Sequence, residues 1–490
     1  MKSLLLKKNP LIVAFAVTAL STAGLNGCKN DKGALSSINK KIVLKDYSVT
    51  PALVKQMPGF TDLDVYSLIS SADVLSESPD FIFGGSADGS GIVKNPEGGY
   101  FMMVNHEDNR AVSRVTLDKT FKPVKGEYAM NSNAGQWRLC SATMATPQEH
   151  GFGPYFLTVG ESDVEALTHN IDPLQKVYDK AQPRVIAGLG HWSGENAVPL
   201  QKHAFSGKTV VITGEDASDA TGGQVALYVS NSVGDLDNGS QYMLRRKDLN
   251  QRETDMIEGT SYDVEFVKIE NHKNLSGAQI QALVNPLKAI KFGRVEDLDY
   301  RKGSKDAARD IYFNVTGQAA SGANADNSRT VKGRVYRLVL DENNPLAGKL
   351  ECILDGDKAN GKAAAFQNPD NITVTNNYAY IQEDPNSYGN ETHDAYIYQY
   401  NLTTKELKVV FELDHRRGDA TYGATAARGN WEYGALIDIS DMIGSPDTFY
   451  LCVQPHTWKS SRFVRPDGGT AVPVTENQGS QIVVIKGLAR

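Results

Sequence analysis

The chain has 490 residues, of which 40% are hydrophobic and 22% charged, with 44 glycines and 19 prolines. This is the composition of an ordinary globular protein able to bury a large core, and it excludes a disordered, collagen-like or polytopic membrane chain. Lys and Arg number 51 against 58 Asp and Glu, a formal charge of −7; no basic run is long enough to track a phosphate backbone, so nucleic acid is not an expected partner.

At the N-terminus, Lys2, Lys7 and Lys8 precede a ten-residue apolar run over 11–20 and then Leu25-Asn26-Gly27-Cys28. The pattern predicts a secretory signal over 1–27, too short to span a membrane. Its end resembles a bacterial lipobox, with Cys28 lipidated and residues 28–45 acting as a tether whose first part, 29–35, is polar. The expectation is an envelope lipoprotein outside the cytoplasm, membrane-anchored through lipid, monomeric, with one catalytic domain over 46–490. Removing 27 residues that carry three lysines leaves 463 residues and a charge of −10. Cys140, Cys352 and Cys452 then remain, an odd number in an oxidising compartment, so at least one thiol is unpaired.

Along the rest of the chain, short apolar runs end repeatedly in polar clusters. Residues 100–104 lead to Asn105-His106-Glu107-Asp108, and 155–159 to Gly160-Glu161-Ser162-Asp163. Residues 209–213 lead to Gly214-Glu215-Asp216. A helix is expected from Ser276, where Ser276 and Gln279 form a capping box and Ile280, Leu283, Leu287 and Ile290 share a face that Pro286 kinks. Residues 311–315 then run into Thr316-Gly317-Gln318, 378–381 into Gln382-Glu383-Asp384, and 449–453 into Gln454-Pro455-His456. Return runs follow at 224–229, 333–340 and 396–402. About six such units predict an all-β propeller with loop and helix insertions.

In a propeller the innermost strands surround the axis. If these tips end innermost strands, Glu107, Glu161, Glu215 and Glu383 converge at one mouth, where crowded carboxylates need a cation or strongly raised pKa values. Such oxygen ligands favour Ca²⁺, Mg²⁺ or oxidised iron over zinc. The alternative is that the acids merely make turns and solvated strand ends.

Six segments resemble the PhoX alkaline phosphatases. Trp137-Arg138-Leu139-Cys140-Ser141-Ala142-Thr143-Met144-Ala145-Thr146-Pro147, with Phe156-Leu157-Thr158-Val159-Gly160-Glu161 after it, resembles the family's Cys-x-x-Thr-x-Thr-Pro and Leu-Thr-x-x-Glu segments. Phe292-Gly293-Arg294-Val295-Glu296-Asp297 resembles Phe-x-Arg-Pro-Glu-Asp, and Gly190-His191-Trp192-Ser193-Gly194-Glu195 a Gly-x-x-x-His-Glu stretch. Asn105-His106-Glu107, Asn368-Pro369-Asp370-Asn371-Ile372 and Ile381-Gln382-Glu383-Asp384 complete the order. The chain departs from the pattern at Gly160, Gly194 and Val295.

The resemblance implies a six-bladed propeller with Ca²⁺ and Fe³⁺ at the channel mouth and phosphate monoesters as substrates. It implies that Cys140, Glu161, Glu195 and Glu296 are metal ligands, that Asn105, Glu107, Glu383 and Asp384 are further contacts, and that Arg294, with Glu296, is catalytic and grips the phosphoryl oxygens. The chemistry agrees: phosphate monoesters hydrolyse so slowly that cations are needed to neutralise developing charge, and a planar guanidinium suits bidentate phosphate binding.

Three functions are weighed: a lipid-anchored phosphomonoesterase, a calcium-dependent propeller hydrolase of another class (phosphodiesterase or lactonase), and a non-catalytic calcium-stabilised binding module. A nucleotide cradle, HExxH zinc site or Gly-x-Ser-x-Gly elbow has no support in the sequence. His106 and His456 at strand tips are read as either substrate-facing or structural.

Overall fold

The computed structural model describes residues 41–304, 306–386 and 388–490. The expected signal, Cys28 and the first part of the tether lie outside the described residues.

The chain enters through β1 (Val54–Gln56) and β2 (Asp64–Ser70). A first meander follows, β3 (Ala87–Lys94), β4 (Tyr100–His106), β5 (Ala111–Leu117) and β6 (Pro123–Met130). A second comprises β7 (Arg138–Ala145), β8 (Tyr155–Glu161) and β9 (Thr168–Ile171). Next come β10 (Gly194–Pro199), β11 (Thr209–Glu215), β12 (Val225–Ser230), β13 (Ser240–Arg246) and β14 (Ser261–Lys268). Then β15 (Val295–Tyr300), β16 (Asp310–Val315), β17 (Arg334–Leu340) and β18 (Ala347–Asp355). The chain ends with β19 (Pro369–Val374), β20 (Tyr378–Glu383), β21 (Tyr396–Asn401), β22 (Leu407–Leu413), β23 (Glu432–Asp438), β24 (Thr448–Gln454) and β25 (Gln481–Lys486).

The architecture is all-β and propeller-like, as expected. Among the described residues hydrogen bonding gathers the strands into five sheets, four of three to five strands and one of nine. The nine-stranded sheet arises because β14 pairs with β18, Ser261 opposite Glu351 through Glu265 opposite Ala347, joining two meanders at their outer strands. Strands β3, β7, β10, β15, β19 and β23 each touch the next, and β23 touches β3, so six strands close a ring around the axis. Five of the ring strands, β3, β10, β15, β19 and β23, are buried over most of their length and β7 over half of it, because neighbouring sheets cover their faces.

The ends of the chain are sewn together. β2 is the outer strand of the last sheet, pairing antiparallel with β25 from Asp64 opposite Lys486 to Ser70 opposite Gln481, and β1 adds to β22. The helix expected from Ser276 has its capping box but breaks into two short pieces, Gly277–Gln281 and Val284–Leu287. Pro286 lacks an N–H and its ring collides with the carbonyl four residues back, which accounts for the break before it.

The largest apolar cluster fills the two halves of the nine-stranded sheet. At its centre Phe313 stacks on Tyr336 with ring centroids 5.2 Å apart, and Phe292 meets Phe313 edge-on at 5.5 Å. Deleting the Phe313 ring would leave a cavity that these stiff neighbours cannot fill. Phe313→Ala is expected to cost about 3–5 kcal/mol, read as a lowered urea midpoint with an unchanged slope.

Candidate metal centre

The six ring strands share one irregularity at the same height. Each pairs with the strand that follows it through a register shift in its first residues: Ala87/Ser90, Leu139/Ala142, Gly194/Ala197, Val295/Leu298, Pro369/Ile372 and Tyr433/Leu436. A bulge of this kind bends the strand and re-aims the unpaired side chains. In five of the six the first residue inside the interruption is Asp88, Cys140, Glu195, Glu296 or Asp370, and in the sixth Glu432 stands just before it. The strands crowd where this happens: a Cβ on Gly89 would lie 2.4 Å from the Cys140 carbonyl oxygen, and one on Gly434 would lie 2.5 Å from the Asp88 Cα.

The result is a chain of overlapping donor groups. Asp88, Cys140 and Glu195 bring ligand atoms within 4.8 Å of one another, and so do Glu107, Cys140 and Glu161; Glu195, Glu296 and Asp370; and Asp370, Asp384 and Glu432. Cys140 Sγ donates to Glu161 Oε2 at 2.9 Å. Cationic side chains reach into them. Arg294 donates through Nε to Asp216 Oδ1 at 2.7 Å and through Nη2 to Asp216 Oδ2 at 2.9 Å. Its Nη2 lies 3.1 Å from Glu296 Oε1, and its Nη1 donates to Asn386 Oδ1 at 2.8 Å. The Arg294 backbone is left-handed, φ 70°, a strained conformation for a residue with a Cβ and a recurrent one at functional sites.

Directly below lies a belt of polar residues from the second position of the same bulges. Asn196 Nδ2 donates to Asp297 Oδ1 at 2.7 Å, and Asp297 Oδ2 accepts the Ile372 N–H at 3.1 Å. Asn371 Nδ2 donates to Ser141 Oγ at 2.6 Å, and the Ser141 N–H donates to Glu195 Oε1 at 2.9 Å. Asn105 works from behind, its Nδ2 donating to the Cys140 carbonyl at 2.6 Å and to Thr158 Oγ1 at 2.8 Å.

Electrostatics show what this crowding costs. Burial, then Glu107 and Asp297, push Asp88 well above the ordinary carboxylate range. Burial and Glu296 do the same to Glu195 and to Asp370, and burial and Asp384 to Glu432. Glu296 rises through burial and Asp216 against the pull of Arg294. Glu161 is pushed up to about 8 by burial and Asp216, and the Cys140 thiol rises through burial and Glu161. Burial would raise Asp216 as well, but the Arg294 fork outweighs it and holds Asp216 low. Eight carboxylates and a thiol cannot all be anionic in this space without cations. The donor set fits metal ions, and the buried Asp370 Oδ1, which has no hydrogen-bond partner among the described residues, marks one place where a cation would be coordinated.

The structure brings together Cys140, Glu161, Glu195, Glu296, Glu107 and Asp384 of the expected residues, with Arg294 beside them. Glu215 and Glu383 are placed elsewhere. Glu383 accepts the N–H groups of Gln367 at 2.7 Å and Tyr396 at 2.9 Å and the Tyr398 hydroxyl at 3.1 Å, while Glu215 accepts from Gln281. The expected convergence of Glu107, Glu161, Glu215 and Glu383 is corrected accordingly: the apolar runs that end in acids are the second strands, and the ring strands begin with the acids. Sequence reasoning missed Asp88, Asp370 and Glu432, whose signal was an acid at the start of a run, and Asp216, which follows the run of β11. His106 is structural, fully buried against Phe83 at 4.8 Å, with burial pulling its pKa down to about 3. His456 supports the centre, its Nε2 lying 3.0 Å from Glu432 Oε1. All three cysteines among the described residues are free and buried.

No family model matches the chain, and no curated protein sequence matches it. Among solved structures, Pseudomonas fluorescens PhoX in complex with vanadate, a transition-state analogue, superposes with a TM-score of 0.57 at 15% identity, over 90% of this chain and 98% of that one. An α-L-arabinofuranosidase from Fusarium graminearum with an iminosugar inhibitor gives 0.39 at 11% identity, over 86% and 98%. The PQQ-bound aldose sugar dehydrogenase of Streptomyces coelicolor gives 0.35 at 10%, over 87% and 98%. At 15% identity the PhoX likeness is one of fold.

The raised carboxylates set the pH dependence of chelator-treated protein. Unfolded Glu161 ionises near 4.5 and folded Glu161 near 8, so between these values the native state binds more protons and stability falls as pH rises. The urea midpoint of chelated protein is expected to fall from about pH 5 to 8 and to recover on adding divalent or ferric metal. In the same assay at pH 8, Glu195→Gln is expected to stabilise the chelated protein by about 1 kcal/mol or more by removing one repelling charge, while lowering metal uptake.

Proposed function

We propose that this chain is a metal-dependent phosphoric monoester hydrolase of the PhoX kind, held in the cell envelope by a lipid on Cys28. The observation that carries the reading is the setting of Arg294: a guanidinium fixed inside a buried cluster of one thiol and many carboxylates. The PhoX structure of the same propeller-like fold holds vanadate, a transition-state analogue, which agrees with a tetrahedral oxyanion as the ligand here. Six segments that resemble that family's motifs occur in order in this sequence, and Cys140, Glu161, Glu195 and Glu296 from them fall in overlapping donor groups. The six ring strands agree with six blades, two of them fused at their outer edges by β14 and β18.

Cys140, a soft donor among hard oxygens, favours iron at the Asp88, Glu107, Glu161 and Glu195 end, while the all-oxygen group of Asp370, Asp384 and Glu432 suits calcium. When bound, the metals supply positive charge for the transferring phosphoryl group and activate an oxygen nucleophile. The chain's own part is orientation. Asp216 occupies the Nε and Nη2 edge of Arg294 and Asn386 accepts one N–H of Nη1, which fixes the plane of the fork and leaves the second N–H of Nη1 for a phosphoryl oxygen. Glu296, two residues on, remains in contact with the guanidinium despite the left-handed backbone before it, so cation and ligand act at one place. Burial lowers the local dielectric and strengthens each of these contacts as charge builds on the phosphoryl oxygens.

Arg294→Ala is expected to lower kcat/KM for a chromogenic phosphate monoester by about 10²–10³-fold and also the melting temperature, because it strips Asp216 of its buried partner. Arg294→Lys, which keeps the charge without the fork, is expected to stay folded and still lose most of the activity, and full activity in Arg294→Lys would make Arg294 structural. Elemental analysis is expected to find iron and calcium, and Cys140→Ala to remove the iron and the activity together. Calcium alone with full activity in Cys140→Ala would overturn the iron assignment.

A further inference from the structure

A second arginine stands at the rim of the centre. Arg138 opens β7 two residues before Cys140, just as Arg294 precedes Glu296 by two. The Arg138 side chain is 37% exposed, and its Nη1 meets Glu107 Oε1 at 2.7 Å. Among the described residues that carboxylate is its one hydrogen-bond partner, so most of its five N–H donors are uncommitted. Arg294 differs: it is 22% exposed and engaged by Asp216, Glu296 and Asn386.

The two guanidiniums flank the same acid. On one side Glu161 shares a hydrogen bond with Asp216, the carboxylate that holds Arg294. On the other, Glu107, which holds Arg138, keeps its ligand oxygen within 4.8 Å of those of Glu161 and Cys140. Arg138 and Arg294 both feel the charge of Glu161. A single phosphoryl group gripped by Arg294 has no need of a half-exposed, permanently charged fork on the far side of Glu161. A substrate with a second group of phosphate oxygens does, since a guanidinium matches them in shape and charge.

Resting on the hydrolase reading above, we infer that Arg138 is a second anion-binding residue and that the preferred substrate carries a second phosphoryl group beside the one transferred. The reaction is unchanged in kind. The oxygen of water bonds to the transferred phosphorus, the bond from that phosphorus to the leaving oxygen breaks, and the leaving oxygen takes up a proton, with the second phosphoryl group held at Arg138 throughout.

The test is calorimetric titration of metal-loaded protein with orthophosphate and with pyrophosphate. Wild-type protein is expected to bind pyrophosphate at least tenfold more tightly than orthophosphate. Arg138→Ala is expected to reduce that ratio tenfold or more, Arg138→Lys to retain part of it, and Arg294→Ala to weaken both ligands. A ratio unchanged in Arg138→Ala, or in Arg138→Gln should the alanine variant not fold, would overturn the proposal and leave Arg138 as a brace for Glu107. Wild-type protein that binds orthophosphate but shows no preference for pyrophosphate would overturn it while leaving the hydrolase reading standing. Failure to bind either anion would remove the hydrolase reading itself.

Discussion

Repulsion among like charges on one axis is the constraint around which this protein is built. Closing six strands into a ring brings acids that are far apart in sequence to one height, and burial then strips them of water. Asp88, Glu161, Glu195, Glu296, Asp370 and Glu432 hold their protons more tightly than they would in solvent. Two devices already in the chain relieve part of this load. Arg294 neutralises Asp216 and leans on Glu296, and Arg138 does the same for Glu107. Metal bound to the remaining donors, as proposed above, would relieve the rest and would tie the stability of the fold to the occupancy of the site.

The bulges explain how a regular ring delivers so irregular a donor set. In an uninterrupted strand, successive side chains alternate faces, and an acid at the second position would have an even chance of pointing into a neighbouring sheet. Interrupting the ladder at the same level in all six ring strands turns Asp88, Cys140, Glu195, Glu296 and Asp370 into the mouth of the channel and sets Asn196, Asp297, Asn371 and Ser141 beneath them. That lower belt fixes the backbone from which the ligands project. Beneath it the same six strands line a cavity of about 770 Å³ that includes Met144, Val198, Leu298 and Leu436.

Much of this was legible in the sequence, for reasons that differ by residue. The alternation of short apolar runs with turn residues revealed an all-β propeller-like fold, because strand period and turn chemistry are local properties. Cys140, Glu161, Glu195 and Glu296 were legible because each lies in a motif with a distinctive neighbour. Asp88, Asp370 and Glu432 were not, since an acid before an apolar run looks like any strand entrance until the ring shows which strand is innermost. Glu383 and Asp384 illustrate the limit of pattern reading. They are adjacent, and only the pairing of Pro369 with Glu383 decides which faces the axis. The pairing of β14 with β18 was equally hidden, because it joins edges that no local signal connects.

The way the ends meet also sets which strands depend on each other. Ser71 and Ser480, 409 positions apart, exchange backbone and side-chain hydrogen bonds, and β2 has no sheet to join until β25 has been made. Early strands therefore pair with strands about 400 residues later, which gives the fold a high contact order. Asp88 and Glu432 lie on β3 and β23, the two strands whose contact closes the ring. Loss of β25 would leave β2 without its partner and expose the edge of β24, whereas the Glu195, Glu296 and Asp370 donor group, carried on β10, β15 and β19, depends on neither β2 nor β25.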